Sequence, residues 1–363
     1  MKKRHTLLIF LLSWNFALAQ DMQYSQFYAA PLYLNPAFAG STELTRMGAN
    51  YRNQWPGLDH SFVSYSAYID HYMFDINSGV GLIVNSTRES QSRLSTNEVG
   101  MAYSYKVQLG LDTYLRFGGQ ASFITRDAYF GDLVFGSQLD IDRGYVDDFS
   151  GELMAADYKH SFVDYNFGMV FHTQMMWFGL SGHHLSEPNT SFVDGNISKL
   201  PMKLSAHGGI KFSLGEGMIN NYYSNTRQER SAFFAFNYKH QDPFNQLDLG
   251  AQLFVEPLIL GVWYRGFPVK YNLPNNESIV GLLGVALSNG IDIGYSFDFT
   301  ASKLSLGSSA GAHEFSIRYS FLYGDPKDRN KKRTLIPCFR FSVDQSNRTI
   351  SAPRAFRRWS MYW

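Results

Sequence analysis

The chain has 363 residues but only one cysteine, Cys338, so no disulfide can form within it. Beyond the stretch from Leu7 to Leu18 it also lacks an apolar run approaching the roughly 18 residues that mark a membrane-spanning helix. The mean hydropathy of −0.23 agrees with this. The net charge is only +1. We expect no nucleic-acid partner. These features argue against a disulfide-stapled secreted domain and a helical membrane protein.

Aromatic residues, in contrast, are abundant, with 23 Tyr and 30 Phe, and such a load suits the aromatic girdles of a transmembrane barrel. The run from Gly311 to Tyr323 alternates strictly: His313, Phe315, Ile317, Tyr319 and Phe321 share one face, and mostly polar residues share the other. In lipid only a helix or a closed sheet satisfies every backbone group. The sequence therefore predicts an all-β transmembrane outer-membrane β-barrel.

Alternation and turn residues together predict about 14 antiparallel strands. The predicted strands cover residues 44–55, 60–74, 78–90, 93–109, 112–129, 161–174, 175–187, 199–215, 230–243, 245–256, 258–269, 278–288, 291–306 and 311–323. Outer-membrane barrels have short periplasmic turns and longer outer loops. With both chain ends in the periplasm, the predicted connections follow this rule except at 215–229, which is long yet periplasmic.

The chain divides into four predicted regions. Residues 1–19 form a signal peptide, since Lys2, Lys3 and Arg4 precede an apolar stretch and Ala17-Leu18-Ala19 offers a cleavage site. Residues 20–43 form an N-terminal periplasmic or plug segment, 44–323 the barrel, and 324–363 a periplasmic C-terminal tail with ten Lys and Arg against three Asp. A barrel of this width is too wide for its own wall side chains to fill. We expect residues 20–43 to fold into its periplasmic mouth as a plug or lid.

Polar side chains on the strands are costly in lipid, so we expect them to line the lumen as a polar network. Arg52 is expected to pair with strand carboxylates such as Asp298 or Glu314. The same polar lumen, with Asn166 and Gln120, is also compatible with an open pore. The network candidates are Arg46, Arg52, Gln54, Arg116, Asp164, Asp248, Asp298, Glu314 and Arg318.

Four stretches of the sequence resemble the PorP/SprF family of type IX secretion membrane proteins. They are YLNPAFAG at 33–40, YRNQW at 51–55, GVWYR at 261–265, and GAHE at 311–314 with the strand that follows. The resemblance runs from about Gln23 to Phe341 and implies an outer-membrane barrel of the Bacteroidota. It further implies a non-enzymatic role, with the secretion machinery or a large secreted adhesin of gliding motility as partner beside the membrane lipid. The alternative is a porin or a transporter of small solutes or hydrophobic compounds.

Two segments are candidates for partner binding. Asn35, Pro36, Phe38 and Gly40 lie in the YLNPAFAG motif, which is either an Asn-Pro turn with a glycine bend or a recognition segment. The tail extends past the end of the family resemblance, and it is either a disordered basic terminus or a docking peptide for a periplasmic protein. Its candidate residues are Arg354, Phe356, Arg357, Arg358 and Trp359.

No catalytic residue, cofactor or metal is expected. His183 and His184 are adjacent on a predicted strand and should point to opposite faces, as should His313 and Glu314, so neither pair can chelate a metal. Trp55 and Trp263 are interpreted as girdle or rim residues. An acidic loop is either a calcium site with oxygen ligands or, more simply, a solvated outer loop; it comprises Asp140, Asp142, Asp147, Asp148 and Glu152.

Overall fold

A computed structural model describes residues 21–90, 93–129, 138–140, 145–146, 157–192, 196–221, 224–266, 278–300, 309–323 and 336. Fourteen strands close into a single barrel in which every neighbouring pair is antiparallel, which confirms the predicted fold class. In the part of the chain that the structure describes, no helix has the length and apolarity needed to cross a membrane.

The barrel strands are β1 (Thr45–Gln54), β2 (Phe62–Met73), β3 (Ser78–Glu89), β4 (Ser95–Gln108), β5 (Tyr114–Tyr129), β8 (Asp157–His172), β9 (Met176–His183), β10 (Lys203–Asn221), β11 (Ser224–Gln241), β12 (Phe244–Val255), β13 (Leu258–Arg265), β14 (Ser278–Ala286), β15 (Ile291–Thr300) and β16 (Ala312–Phe321). The two-residue strands β6 (Leu139–Asp140) and β7 (Tyr145–Val146) pair with each other outside the barrel.

Closure comes from pairing of the first and last strands. β1 and β16 run antiparallel in continuous register, from Thr45 opposite Phe321 to Gln54 opposite Ala312. The other edge of β1 pairs with β2 from Arg46 opposite Asp70 onward. The sheet therefore has no open edge at the seam, and its backbone groups are satisfied as a membrane requires.

The two faces of the wall differ sharply. In β9 the outward residues Met176, Phe178 and Leu180 are exposed, whereas Trp177 and Ser181 point inward and are buried. An exposed apolar face around a partly polar, buried interior is the reverse of a soluble protein. It is the pattern of a barrel whose outer surface meets hydrocarbon.

The connections sort to the two ends of the barrel. At one end, which we call the turn end, lie the connections 74–77, 109–113, 173–175, 222–223, 256–257 and 287–290. At the other, the loop end, lie 55–61, 90–94, 130–156, 184–202, 242–243, 266–277 and 301–311. Long connections occur only at the loop end, as in outer-membrane barrels whose loops face outward.

The long turn-end connection predicted at 215–229 is wrong, because residues 215–221 and 224–229 are strand. β10 and β11 pair with each other as far as Asn221 opposite Ser224, although β9 reaches only Ile210 of β10 and β12 only Arg230 of β11. Among the described residues, 214–221 and 224–229 thus pair only with each other. This β-ribbon, as we call it, extends past the turn end and has two unpaired edges. Its sequence carries none of the apolar alternation that marks a wall strand, as expected of strands that extend beyond the lipid.

Residues 21–44, the lumenal segment, lie inside the barrel. They contain a 3-10 turn at Phe27–Ala29, a single helical turn α1 at Pro31–Leu34, and a second 3-10 turn at Pro36–Phe38. Nearly all of them are buried, and Leu32, Ala37 and Phe38 have no exposed surface. Prolines begin α1 and the second 3-10 turn, where a missing backbone N–H costs nothing.

Candidate functional site

The lumenal segment passes through the barrel from the loop end to the turn end. Asp21 lies 2.6 Å from Nζ of Lys203, the first residue of β10, at the loop end. The backbone N–H of Gly40 donates to Asp70, near the turn end of β2, at 2.7 Å. The segment is therefore not restricted to the periplasmic mouth, because charged wall residues at both ends bind it.

Near the loop end, one serine of the segment is surrounded by strand charges. The hydroxyl of Ser25 donates to both carboxylate oxygens of Asp298, at 2.7 and 2.8 Å. It accepts from Arg52 at 2.6 Å and from Arg265 at 3.1 Å. The backbone N–H groups of Ser25 and Gln26 donate to Glu314 at 2.6 and 3.0 Å. We call this group the Ser25 cluster.

The charges of the Ser25 cluster also pair with one another. Arg52 lies 2.8 Å from Asp298 and 3.3 Å from Glu314, the two carboxylates that the sequence nominated as its partners. Arg265 bridges Asp298 at 2.9 Å and Asp248 at 3.0 Å. Such buried charges are tolerable because each has an opposite partner, and four of them also form hydrogen bonds with the segment: Arg52, Arg265, Asp298 and Glu314.

A second group of charges binds the segment near the turn end. Arg46 forms a two-point ion pair with Asp70, at 2.8 and 3.0 Å, and also donates to the Phe38 carbonyl at 3.2 Å. Arg116 donates to the carbonyls of Ala37 and Ala39 at 3.2 and 2.8 Å. The two guanidiniums therefore help to satisfy the backbone oxygens of a short irregular segment, among which the Phe38 carbonyl also accepts from Ser41 N at 3.0 Å.

Asn35 is the central polar contact of the segment. Its side-chain oxygen accepts from Ala37 N at 2.9 Å and caps the second 3-10 turn. Its amide nitrogen donates to the wall carbonyls of Leu180 and Met169, at 3.0 and 3.2 Å, and lies 3.2 Å from Nε2 of His207. Pro36, Phe38 and Gly40 are likewise buried. In this arrangement the YLNPAFAG motif contacts the barrel wall, and a partner outside the barrel meets none of these side chains.

Wall glycines make room for the segment. A Cβ built on Gly168 would overlap the side chain of Asn35, one on Gly118 would overlap the backbone of Ala37, and one on Gly79 would overlap the carbonyl of Ala39. All three glycines lie on inward positions of their strands. The wall and the segment thus fit each other at backbone level, as close backbone approach requires.

An apolar cluster occupies the lumen beside the polar groups. From the segment it takes Phe27, Tyr28, Leu34 and Phe38, and from the wall mainly Val170, Trp177, Phe233, Phe254, Ile259 and Trp263. The rings of Phe27 and Trp263 meet edge to face at 5.0 Å, and those of Phe38 and Trp177 at 5.6 Å. The interpretation of Trp263 as a girdle or rim residue is wrong, because its ring points inward and packs against the segment.

The first described residue of the segment, Asp21, is held by two side chains of the barrel. The carboxylate of Asp21 lies 2.8 Å from Nε2 of His184 and 2.6 Å from Nζ of Lys203. Nδ1 of His184 lies 2.9 Å from Asp164. Burial works to lower the pKa of His184, but Asp21 and Asp164 outweigh it and raise this pKa to about 9. Burial works to raise the pKa of Asp21, but His184 and Lys203 hold it well below its usual value.

The opposite-face argument for His183 and His184 is wrong. β9 ends at His183, and His184 adopts a positive φ of 59°, so both rings point into the interior. His183 lies against the Leu34 carbonyl, whereas His184 binds carboxylates. Within the described residues no group of three or more His, Cys, Asp or Glu side chains could hold a metal ion.

The other predicted network members also lie on the inner face. Gln54 accepts from Arg52 at 3.3 Å, and Arg318 pairs with Asp292 on the adjacent strand β15 at 2.5 Å. The tail candidates Arg354, Phe356, Arg357, Arg358 and Trp359 lie outside the described residues. Of the predicted tail, 324–363, the structure describes Ile336, which is buried in the lumenal apolar cluster. The acidic loop is likewise outside them except for Asp140.

The comparisons with known proteins decide the family. The model for "Type IX secretion system membrane protein PorP/SprF" matches residues 17–319. The chain belongs to the PorP/SprF family. This membership and the barrel fold assign it to the outer membrane as a type IX secretion component. The turn end then faces the periplasm and the loop end the outside.

Solved structures similar to this PorP/SprF chain are other outer-membrane proteins. A FadL homologue of Pseudomonas aeruginosa is 11% identical with a TM-score of 0.40, over 79% of this chain and 93% of that one. Omp33 of Acinetobacter baumannii is 9% identical with a TM-score of 0.37, over 78% and 100%. CdiB of the same organism is 7% identical with a TM-score of 0.38, over 76% and 60%. The comparison with curated proteins finds no match.

Several site residues were not predicted from the sequence. Arg265 and Asp70 were not among the network candidates, although both lie on the inward face of a strand. Nothing in the sequence marks Ser25 and Asp21 as site residues, since they lie before the first strand with an alternating pattern. The inward wall glycines were a usable signal. A glycine on the lumenal side of a wide barrel indicates that another piece of backbone passes there.

Proposed function

We propose that this PorP/SprF protein acts as a closed, non-enzymatic barrel that binds a partner in type IX secretion and does not conduct solutes. The carrying observation is the seating of residues 21–44 in the lumen. Wall charges satisfy the segment at both ends, wall glycines fit its backbone, and wall aromatics cover its apolar side chains. These features support the interpretation of residues 21–44 as a plug that is packed as a permanent part of the folded barrel.

The apolar wall residues argue most directly against an open pore. Without the segment, Trp177, Phe254 and Trp263 would face water across the lumen. Exposing apolar surface costs about 25 cal/mol per Å². A water-filled pore has no use for such side chains, whereas a plugged barrel needs them. The porin or transporter alternative rests on polar lumen residues, most of which contact the segment or one another.

Conductance in planar bilayers tests this closure. We expect no stable single-channel current from the intact protein and a clear current after deletion of residues 21–40. Steady channels in the intact protein would favour the transporter alternative. If neither protein conducts, and the deletion variant is still heat-modifiable on gels, then the segment does not close the lumen.

The partner is proposed to be a large secreted adhesin or a component of the secretion machinery. Deleting the gene should abolish the surface display of one secreted protein, and the intact gene should restore it. Loss of solute uptake with normal surface display would favour the alternative.

Affinity purification from mild detergent tests whether the tail takes part. Truncation after residue 345 removes the tail candidates but keeps Ile336 and its place in the lumenal cluster. If the tail is a docking element, a periplasmic protein should be lost from the purified complex while the barrel remains folded. An unchanged set of co-purified proteins would assign docking to another surface.

A further inference from the structure

A cavity of about 70 Å³ lies at the loop end, between the lumenal segment and the ends of β9 to β13. Its lining includes Lys203, Ser205, Lys239, Phe27, Tyr33 and Phe244. A water molecule needs about 10–15 Å³ of accessible cavity volume, so the cavity has room for a small polar group with an attached methylene. It belongs to neither the Ser25 cluster nor the turn-end charges.

Lys239 is the group in this cavity whose hydrogen-bond donors are not used by the wall. In the described part of the chain its one charged partner is Asp248, at 3.8 Å, beyond hydrogen-bond distance. Asp248 is already bound by Arg265 at 3.0 Å and by Gln246 at 2.8 Å. The ammonium of Lys239 therefore has donors that the wall does not use, and only 16% of its side chain is exposed.

The neighbouring groups fit an anion. The Ser205 hydroxyl, on the adjacent strand, makes no hydrogen bond among the described residues. The other lysine, Lys203, is neutralised by Asp21 at 2.6 Å. The lining thus carries two ammonium groups against a single carboxylate, with Phe27, Tyr33 and Phe244 as apolar sides. A cation with free donors in a confined, partly apolar site favours a carboxylate ligand.

We propose that this cavity binds an acidic side chain of a secreted polypeptide, with Lys239 and Ser205 as its hydrogen-bond donors. The proposal rests on the proposed function, because it names the chemistry by which the barrel holds its client. All wall residues of the cavity lie at the loop end, which faces the outside, so a client that has crossed the membrane meets this end of the barrel. An ion pair in a site shielded from water is worth more than one on an open surface.

Peptide binding to the purified full-length protein in detergent tests the site. The probes are acetyl-Gly-Glu-Gly-amide and its glutamine counterpart, measured by titration calorimetry at low salt. We expect the glutamate peptide to bind at least tenfold more tightly than the glutamine peptide. Lys239→Gln should remove this preference, and Lys239→Arg should keep it, because the charge remains. Equal binding of the two peptides, or an undiminished preference in Lys239→Gln, would overturn the proposal.

Lys199→Gln is the matched control, since Lys199 also lies at the loop end and also has a carboxylate, Glu187, at 3.8 Å, but is 65% exposed. It should bind both peptides as the unaltered protein does; an equal loss there would indicate nonspecific charge attraction. Acetate binding as tightly as the glutamate peptide would reassign the cavity to free small anions. Conductance of the same preparations separates this proposal from the proposed function. A current through the intact protein would contradict the closed barrel, whereas the peptide titrations test only whether the cavity binds an acidic side chain.

Discussion

Ser25 binds Asp298 through both carboxylate oxygens, at 2.7 and 2.8 Å, although the two residues are 273 positions apart. One belongs to the lumenal segment and the other to β15, the strand next to the seam. The same carboxylate pairs with Arg52 and Arg265. A single wall side chain thus joins the segment to three strands of the barrel.

Asp298→Asn should destabilise the folded barrel, because it leaves two buried guanidiniums without their shared counter-charge. Breaking a buried ion pair by removing one partner costs about 3 kcal/mol or more. Urea unfolding in lipid vesicles, followed by the heat-modifiable gel shift, measures the loss. Asp59→Asn, at an exposed loop position, is the control and should change stability by less than about 0.5 kcal/mol. Similar stability of the two variants would mean that the Ser25 cluster does not hold the segment in the barrel.

Gly118→Ala should displace the lumenal segment, because the added methyl would overlap the backbone of Ala37. Overpacking of this kind costs about 1–3 kcal/mol, and we expect the segment to shift because it is not part of the strand ladder. We expect reduced stability and transient current steps in planar bilayers. Gly119→Ala is a close control: its Cβ would point to the exposed face, 4.0 Å from the nearest atom. Identical behaviour of the two variants would contradict the fit between wall glycines and segment.

The attachment of Asp21 should weaken at high pH. The pKa of His184 is raised to about 9 in the folded protein, above its unfolded value of about 6.5. Its contribution is therefore complete below pH 6.5 and is lost as the pH rises through 9. The pKa of Asp21 is lowered, so its contribution is present above its unfolded value and is lost only as the pH falls below it.

A spin label at position 23, in a Gln23→Cys, Cys338→Ser background, reports this change. Its electron paramagnetic resonance spectrum should show little motion at pH 6 and more at pH 10. With His184→Gln added, the label should be mobile already at pH 6 and insensitive to pH up to 10, even though Lys203 still faces Asp21. An unchanged pH response in that variant would assign the titration to another group.

Shortening the β-ribbon should leave the barrel intact. The wall ladders end at Ile210 opposite Met176 and at Arg230 opposite Val255, so joining residue 214 to 229 through a two-residue turn keeps every wall pairing. The heat-modifiable band and the unfolding midpoint should stay the same. Unpaired strand edges are sites for strand addition by a partner, so co-purification of a periplasmic protein is the informative second readout. A collapsed barrel would mean that the ribbon contributes to folding.

The sequence was most informative for the wall. Each wall strand has one face in lipid and one inside, and this forces a two-residue period that is readable in strands such as β16. The same rule explains the correct assignment of Arg52, Asp298 and Glu314 to the lumen. It could not supply the ribbon, because residues beyond the lipid zone are free of the alternation.

What the sequence could not provide was the path of the segment. Phe254 is an aromatic residue on the face of β12 that also carries Asp248 and Gln252, and Trp263 resembled a girdle residue. The sequence alone gives no reason for inward aromatic residues in an empty barrel. Both are explained only by the ring of Phe27 and its neighbours. The inward orientation of His184 was missed because the alternation of a strand was assumed at this residue, although β9 ends at His183.

The passage of residues 21–44 through the lumen also determines sidedness. The even set of wall strands would return the chain to the side from which it started. The segment adds one more pass across the bilayer, so the total is odd. Asp21 therefore lies on the outer side of the membrane and Tyr323 on the periplasmic side.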